Sequence, residues 1–332
     1  MSTSTFMTDM YKLGLVSIII PAYNRRGIIL KTIESCFAQT YPAIEVIVCD
    51  DGSTDDTCAV IEQAILDHPI WDLHLIRQPN AGPSTARNRG LIASRGEFIQ
   101  FLDSDDVLVS DKIEKDVTEL RSDPEVGVVY GKVVYVNEYG LPMGTLSGTP
   151  LYGADFKNVI AKNCWHTIAP LYRREACLRI GPWATDVRGA EDLEYAARLK
   201  TSGIPIKFSD RVAAYALADN ADKLSHRGDT PSFAQGQELF VDYTWKHAAE
   251  RNCLNHQVNR DLQMWLMNTA MKYALLKDRI GFERCLGKSV TLNGGRVYLK
   301  VRLTILASKL LGCRNTALLI RWMHRLIASV RK

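Results

Sequence analysis

With 332 residues, the chain is long enough for one large α/β domain or two small ones, and its 46% hydrophobic and 23% charged content is that of an ordinary globular protein. The net charge of +4 hides an asymmetry: the eleven Lys and Arg from Arg284 onward face no acid, while the preceding chain carries 30 basic residues against 37 acidic ones, a balance of −7. An acidic body excludes nucleic acid as the main partner, eight Cys without a C-x-x-C pair speak for buried free thiols rather than zinc or redox chemistry, and no signal peptide or eighteen-residue apolar run is present, so the body is expected in the cytoplasm.

Strands and helices are predicted to alternate from Leu15 to about Tyr135. Val16–Ile20 reads as a buried strand, and Gly27–Ala38 as a helix with Ile29, Ile33 and Phe37 on one face. A second strand covers Glu45–Cys49, and Ser53 is placed to cap a helix over Thr54–Leu66, with Asp56 completing a capping box. A third strand (Leu73–Ile76), a helix (Pro83–Ser94) and a fourth strand (Glu97–Leu102) follow. This alternation implies an α/β fold with a mainly parallel sheet and helices on both faces. Val126–Val136 is predicted as further strand, Gly140–Gly153 as a mobile Gly/Pro/Ser-rich loop, and Asp192–Thr201 as a helix stopping at Gly203. From Phe233 the pattern is helical to the end, and a boundary is set near Asp229.

In open parallel sheets the ligand lies beyond the carboxyl ends of the strands. Three polar clusters fall there: Pro21-Ala22-Tyr23-Asn24, Asp50-Asp51-Gly52-Ser53 and Asp103-Ser104-Asp105-Asp106. Spaced carboxylates suit Mg²⁺ or Mn²⁺, which bind through one or two carboxylates and substrate phosphates. The other reading of Asp103–Asp106 is a cap for the helix that follows. Neither a G-x-G-x-x-G nor a G-x-x-x-x-G-K-[ST] loop is present, which removes support for dinucleotide oxidoreductases and P-loop phosphotransferases.

In order and spacing, Val16–Asn24, Asp50–Asp55, Gly82–Gly90 and Phe101–Asp106 together resemble the family 2 glycosyltransferases of the GT-A fold, over roughly Leu15 to Asp229. The resemblance implies an N-terminal extension (1–14), a GT-A domain (15–229) with a nucleotide-sugar half (15–135) and an acceptor half (136–229), and a helical C-terminal region (230–332). It also implies roles. Pro21, Ala22 and Tyr23 line the base and ribose pocket. Asp51 accepts a hydrogen bond from the base, and Arg87 reaches the nucleotide or its phosphates unless it is a surface charge on its helix. Asp103 contacts ribose or donor sugar, and Asp105 ligates the metal. Glu191-Asp192 resembles the family's Glu-Asp motif. Adjacent helical residues point about 100° apart, so one acts as base: Asp192, with Glu191 as an acceptor contact. The alternative for both is a pair of favourable first-turn acids.

His226 stands where similar enzymes carry a metal-binding His, although the Tyr-Arg-x-His pattern is missing and a loop histidine fits as well. Trp165 and His166 line either an acceptor pocket or a half-buried core position. The tail from Arg296 to Lys332 interleaves Leu299, Leu303, Leu306 and Leu319 with Lys300, Arg302, Lys309 and Arg321. Such a helix can lie on an anionic membrane surface or pack against protein, in this chain or in an oligomer. The expected activity is metal-dependent inverting transfer of one sugar from an NDP-sugar, UDP-linked by the resemblance, to a hydroxyl on a glycan or lipid-linked acceptor, in bacterial surface polysaccharide synthesis. Two rivals stand beside it: a sugar-1-phosphate nucleotidyltransferase, whose Gly-rich basic loop after the first strand is replaced here by Pro-Ala-Tyr-Asn, and a non-catalytic sugar-nucleotide or glycan-binding protein. A processive synthase is disfavoured, because Leu318 stands at the Gln position of its Gln-x-x-Arg-Trp motif.

Overall fold

The computed structural model describes residues 11–137, 139–147, 166–217 and 230–292, with Gly312 and Asn315 besides. Trp165, His226 and the rest of the basic tail lie outside the described residues. The described chain forms two units, the first from residues up to 147 with 166–185 and 202–217, the second from 186–201 and 230–292.

The first unit is a nine-stranded sheet in the order β3-β2-β1-β4-β8-β6-β9-β5, with β7 paired to β6. Its strands are β1 (Lys12–Ala22), β2 (Ile44–Asp50), β3 (Leu73–Arg77), β4 (Gly96–Phe101), β5 (Val107–Leu108), β6 (Val128–Val136), β7 (Pro142–Ser147), β8 (Leu171–Arg173) and β9 (Ile206–Leu217). Its helices are α1 (Ile29–Phe37), α2 (Thr57–Asp67), α3 (Pro83–Ala93), α4 (Lys112–Ser122) and α5 (Arg174–Ile180). β1 is buried at every position from Val16 to Ala22, as is the whole of β2. A strand buried on both sides is a strand covered on both faces, and β-branched Val and Ile fill those faces. The β3-β2-β1-β4 block is parallel, as expected. Beyond it the sheet is mixed, because β8 enters antiparallel to both β4 and β6, while β6 and β9 run parallel.

Three local expectations change. Ser53 does not cap α2, which starts at Thr57. The Ser53 hydroxyl accepts the Asn24 N–H at 2.9 Å, and the Asp55 carboxylate takes the Thr57 N–H at 3.0 Å. Residues 51–56 are thus used to join the ends of β1 and β2 before the helix begins. Within the expected loop over Gly140–Gly153, Pro142–Ser147 is a strand paired with β6; the remainder from 148 lies outside the described residues. The acids Asp103–Asp106 do not cap the next helix either, since β5 intervenes and α4 opens at Lys112.

The second unit contains α6 (Glu191–Thr201), α7 (Pro231–Glu250), α8 (His256–Leu275) and α9 (Arg279–Thr291). Thr230, Asn255 and Asp278 cap the last three by accepting the N–H groups of Phe233, Val258 and Gly281. Glu238 on α7 is buried and accepts from Arg284 and Lys288 of α9, each at 2.8 Å. Burial alone would raise its pKa; the hydrogen bonds from the two cations outweigh it and hold the carboxyl down at about 2. No described helix is long and apolar enough to cross a membrane. Cys36, Cys49, Cys58, Cys177, Cys253 and Cys285 are free thiols.

Candidate active site

The carboxyl ends of β1, β2 and β4 are adjacent in the sheet, because β1 pairs with both neighbours in parallel. Pro21 and Ala22 are buried at the end of β1, and the Tyr23 ring is 40% exposed just beyond them. Asn24 takes a left-handed backbone (φ 53°), a conformation Asn tolerates better than most residues. Its side-chain oxygen accepts the Thr54 N–H at 2.8 Å, which ties the first strand end to the second.

At the end of β2 two neighbouring acids have different fates. Asp51 is buried, and its carboxylate accepts from Gln78 Nε2 at 2.7 Å and from the backbone N–H groups of Ala81 and Gly82, each at 2.8 Å. It thereby fixes the loop that leads into α3. Asp50 is 2% exposed; its Oδ2 accepts the Ser53 N–H at 3.1 Å, and its Oδ1 is buried with no hydrogen-bond partner. Asp50 lines a cavity of about 430 Å³ with Gly52, Ser53, Asp55, Cys58, Arg77, Gln78 and Pro79. Gly52 is required at this turn: its φ is +75°, and a Cβ would sit 2.8 Å from the Asn80 nitrogen. Burial first, and the Asp50 carboxylate second, push the Cys58 thiol up to about 11, so it stays protonated.

Helix α3 lies flat on β1 and β2 because Gly90 has no side chain. A Cβ there would come within 2.4 Å of Ile19 and 3.1 Å of the Cys49 sulfur. This seating buries Arg87, three residues earlier, to 5% exposure, which overturns the surface-charge alternative. Its Nη2 donates to Asp103 Oδ1 at 2.7 Å, and its guanidinium stands 4.7 Å from the Trp183 ring centre. Nε and Nη1 are buried without a hydrogen-bond partner. Buried guanidinium donors left unmatched carry a large desolvation cost, which an anion would relieve.

The turn after β4 is closed by the Asp106 N–H on the Asp103 carbonyl at 3.2 Å. Burial alternates along it. Ser104 is buried, with its carbonyl accepting from Thr32, and Asp106 is buried, with Oδ1 accepting the Leu217 N–H at 3.1 Å. Asp103 and Asp105 are half-buried, on the accessible side. Among the described residues, the one cluster with three metal-type ligand atoms close together is Glu45, Asp72 and His74, at the amino ends of β2 and β3. Arg95 already occupies it, 2.7 Å from Glu45 and 2.8 Å from Asp72. That position is an ion-pair network at the opposite edge from the ligand edge of the sheet.

His166 is half-buried, with its ring 6.0 Å from that of Tyr135 on β6. In the second unit, Glu191 and Asp192 open α6. Asp192 Oδ1 accepts the Leu193 N–H at 2.8 Å, and Glu191 Oε2 is buried without a hydrogen-bond partner. Glu194, the third acid of that turn, accepts two hydrogen bonds from the Arg198 guanidinium, at 2.7 and 2.8 Å. The sequence placed Asp50 in its second strand-end cluster but gave the base contact to Asp51, and it did not single out Arg77 or Trp183. Asp50 was legible as the last residue of a buried strand; nothing in the sequence marked Trp183.

A mainly parallel sheet with polar residues gathered at the carboxyl ends of β1, β2 and β4 defines an α/β protein of the kind that takes its ligand at that edge. Residues 17–179 match the family described as "Glycosyl transferase family 2", and this part of the chain is a glycosyltransferase domain of that family. It is 36% identical over 155 residues to a chondroitin synthase of Escherichia coli (47% of this chain, 22% of that protein). It is 39% identical over 148 residues to the E. coli UDP-Glc:alpha-D-GlcNAc-diphosphoundecaprenol beta-1,3-glucosyltransferase WfaP (43% and 56%). The chain therefore spans well under two thirds of either relative. In three dimensions it resembles residues 1–349 of S. aureus TarS in complex with UDP-GlcNAc, with a TM-score of 0.67 at 20% identity, covering 91% of this chain and 89% of that one. This likeness fixes the GT-A-type fold.

Proposed function

We propose that the chain transfers one sugar, with inversion, from a UDP-sugar to a hydroxyl acceptor, with Mg²⁺ or Mn²⁺ at Asp105. The observation that carries this reading is Arg87. A buried guanidinium with unmatched N–H groups, next to the carboxylates of one strand-end turn, matches a diphosphate bridged to a divalent cation. Asp103 and Asp105 fit such an ion by their chemistry, since a hard cation takes one or two carboxylates and completes its shell with phosphate oxygens and water. When bound, the ion supplies charge neutralisation to the departing diphosphate.

The residues of this chain do the rest. Pro21, Ala22 and Tyr23 receive the nucleoside, with the Tyr23 ring packing on it. The base edge meets Asp50 rather than Asp51, whose carboxylate serves the α3 loop. The unpaired Oδ1 of Asp50 suits an N–H donor, and Arg77 in the same cavity suits a flanking carbonyl, the pattern of a uracil edge. Asp103 takes the ribose or donor sugar. Asp192 removes the acceptor hydroxyl proton as that oxygen attacks the anomeric carbon. Glu191, Trp165 and His166 contact the acceptor, and His226 is a second candidate metal ligand. The acceptor is a glycan or a lipid-linked sugar in bacterial surface glycan synthesis, a reading supported by the diphosphoundecaprenol acceptor in the name of WfaP. The basic tail from Arg296 would hold the enzyme against an anionic inner membrane face, and its removal would then lower vesicle binding.

Incubation with labelled UDP-sugars and Mn²⁺ tests the reading through UDP release with transfer. Pyrophosphate formed from UTP and a sugar phosphate would favour a nucleotidyltransferase, and binding without turnover a non-catalytic protein. Asp192→Asn should lower kcat by about 10²- to 10⁴-fold and leave UDP affinity intact. Full activity in that variant would remove Asp192 as the base.

A further inference from the structure

We propose that Trp183 and Asn88 are positioning residues that hold Arg87 ready for the donor's phosphates. The proposal rests on the reading that Arg87 meets the diphosphate. Trp183 follows α5 and is 3% exposed. One ring face takes the Arg87 guanidinium at 4.7 Å, and Phe101, the last residue of β4, meets the indole edge-on at 5.1 Å and 83°. Asn88, next to Arg87 on α3, spends both ends of its amide on the same residue. Its Nδ2 donates to the Trp183 carbonyl at 2.9 Å, and its Oδ1 accepts the Trp183 N–H at 2.7 Å. Consecutive side chains on a helix diverge by about 100°, so α3 grips the Trp183 segment from two directions, once through its ring and once through its backbone.

The chemistry of an aromatic face explains why a ring stands there. A carboxylate or carbonyl in that place would stabilise the cation by consuming its N–H donors. A π face stabilises the charge electrostatically and consumes none. Arg87 therefore keeps Nε and Nη1 unmatched while buried, with one bond, to Asp103, setting its rotation. Without the indole and its backbone anchor, the guanidinium would turn to satisfy those donors elsewhere, and part of the phosphate affinity would be lost.

The test measures affinity for two probes, UDP and uridine, on the full-length chain. Arg87→Ala should weaken UDP and leave uridine unchanged. Trp183→Leu and Asn88→Ala should each weaken UDP about tenfold, with uridine again unchanged. Trp183→Phe, which keeps a π face, should recover most of the loss. On the Arg87→Ala background, Trp183→Leu should cost no further UDP affinity, because the two residues act as one unit. The proposal is overturned if Trp183→Leu weakens uridine as much as UDP, or if its cost persists without Arg87; either marks a purely structural residue. It is equally overturned if Arg87→Ala weakens UDP and both positioning variants bind normally. An Arg87→Ala protein with unchanged UDP affinity would instead remove the reading beneath it. Should Trp183→Leu fail to fold, Asn88→Ala and Trp183→Phe carry the same decision.

Discussion

The turns after β2 and β4 look alike in the sequence, two acids in one and three in the other among small polar residues at the end of a buried strand, yet they spend their carboxylates differently. After β2, Asp51 gives three acceptor bonds to Gln78, Ala81 and Gly82. After β4, the Ser104 carbonyl and the Asp106 carboxylate are buried and bonded to Thr32 and Leu217, Asp103 pairs with the buried Arg87, and Asp103 and Asp105 are half-buried. A carboxylate offers about four acceptor sites, so Asp51 is nearly saturated by protein. The difference teaches that an acid saturated by backbone and side-chain donors has little acceptor capacity left for a ligand, whatever its place at a strand end. Hydrogen-bond accounting separates the two cases where residue type does not.

The largest effect that would sharpen this contrast is expected at the second turn. Asp105→Ala should lower UDP-sugar turnover by about 10³-fold, since the cation's charge neutralisation is worth several kcal/mol. Asp105 is half-buried where Asp51 is buried, so the urea denaturation midpoint of Asp105→Ala should move less than that of Asp51→Ala. The converse is expected at the first turn. Asp51→Ala leaves three donors without their acceptor and should cost about 3 kcal/mol of stability by urea denaturation. If Asp51→Ala is as stable as the parent while Asp105→Ala unfolds, the division of labour between the turns is reversed.

How far the sequence could be read follows the same physics. β1 to β4 were legible because short runs dominated by apolar residues, such as Val16–Ile20 with its single Ser17, alternate with helical patterns, and Gly52 and Gly90 mark places where backbone or strand comes too close for a Cβ. β8 and β9 were not legible. β8 has three residues, and β9 carries Lys207, Asp210 and Arg211 within its run. Those charges are tolerated because Arg211 pairs with Asp116 and Glu119 on α4, and Lys112, fully buried, pairs with Asp116 at 2.9 Å. A buried ion network contradicts the hydrophobic pattern that locates a strand, so only coordinates reveal it. For the site, the motif spacing marked the three strand ends, but not that Asp51 is taken up by the α3 loop while Asp50 Oδ1 is left without a partner, nor that Arg87 is buried against Trp183.

The smallest effect is also the most selective. Asp50→Asn preserves shape and can still accept the Ser53 N–H through its amide oxygen, so the turn should hold. What changes is the other atom, which turns from an unpaired acceptor at the cavity into an NH₂ donor. A uracil edge presents an N–H at its centre and would then meet a donor; a cytosine edge presents a ring nitrogen that accepts. UDP affinity should fall about tenfold, roughly 1.4 kcal/mol, and the ratio of UDP to CDP affinity should shift toward CDP by at least that factor, as expected when a mismatch repels one ligand and suits the other. Competition titration of both nucleotides against parent and variant measures the ratio directly. An unchanged ratio would mean that the base does not meet Asp50, and the acceptor left open after β2 would then have to serve another part of the donor.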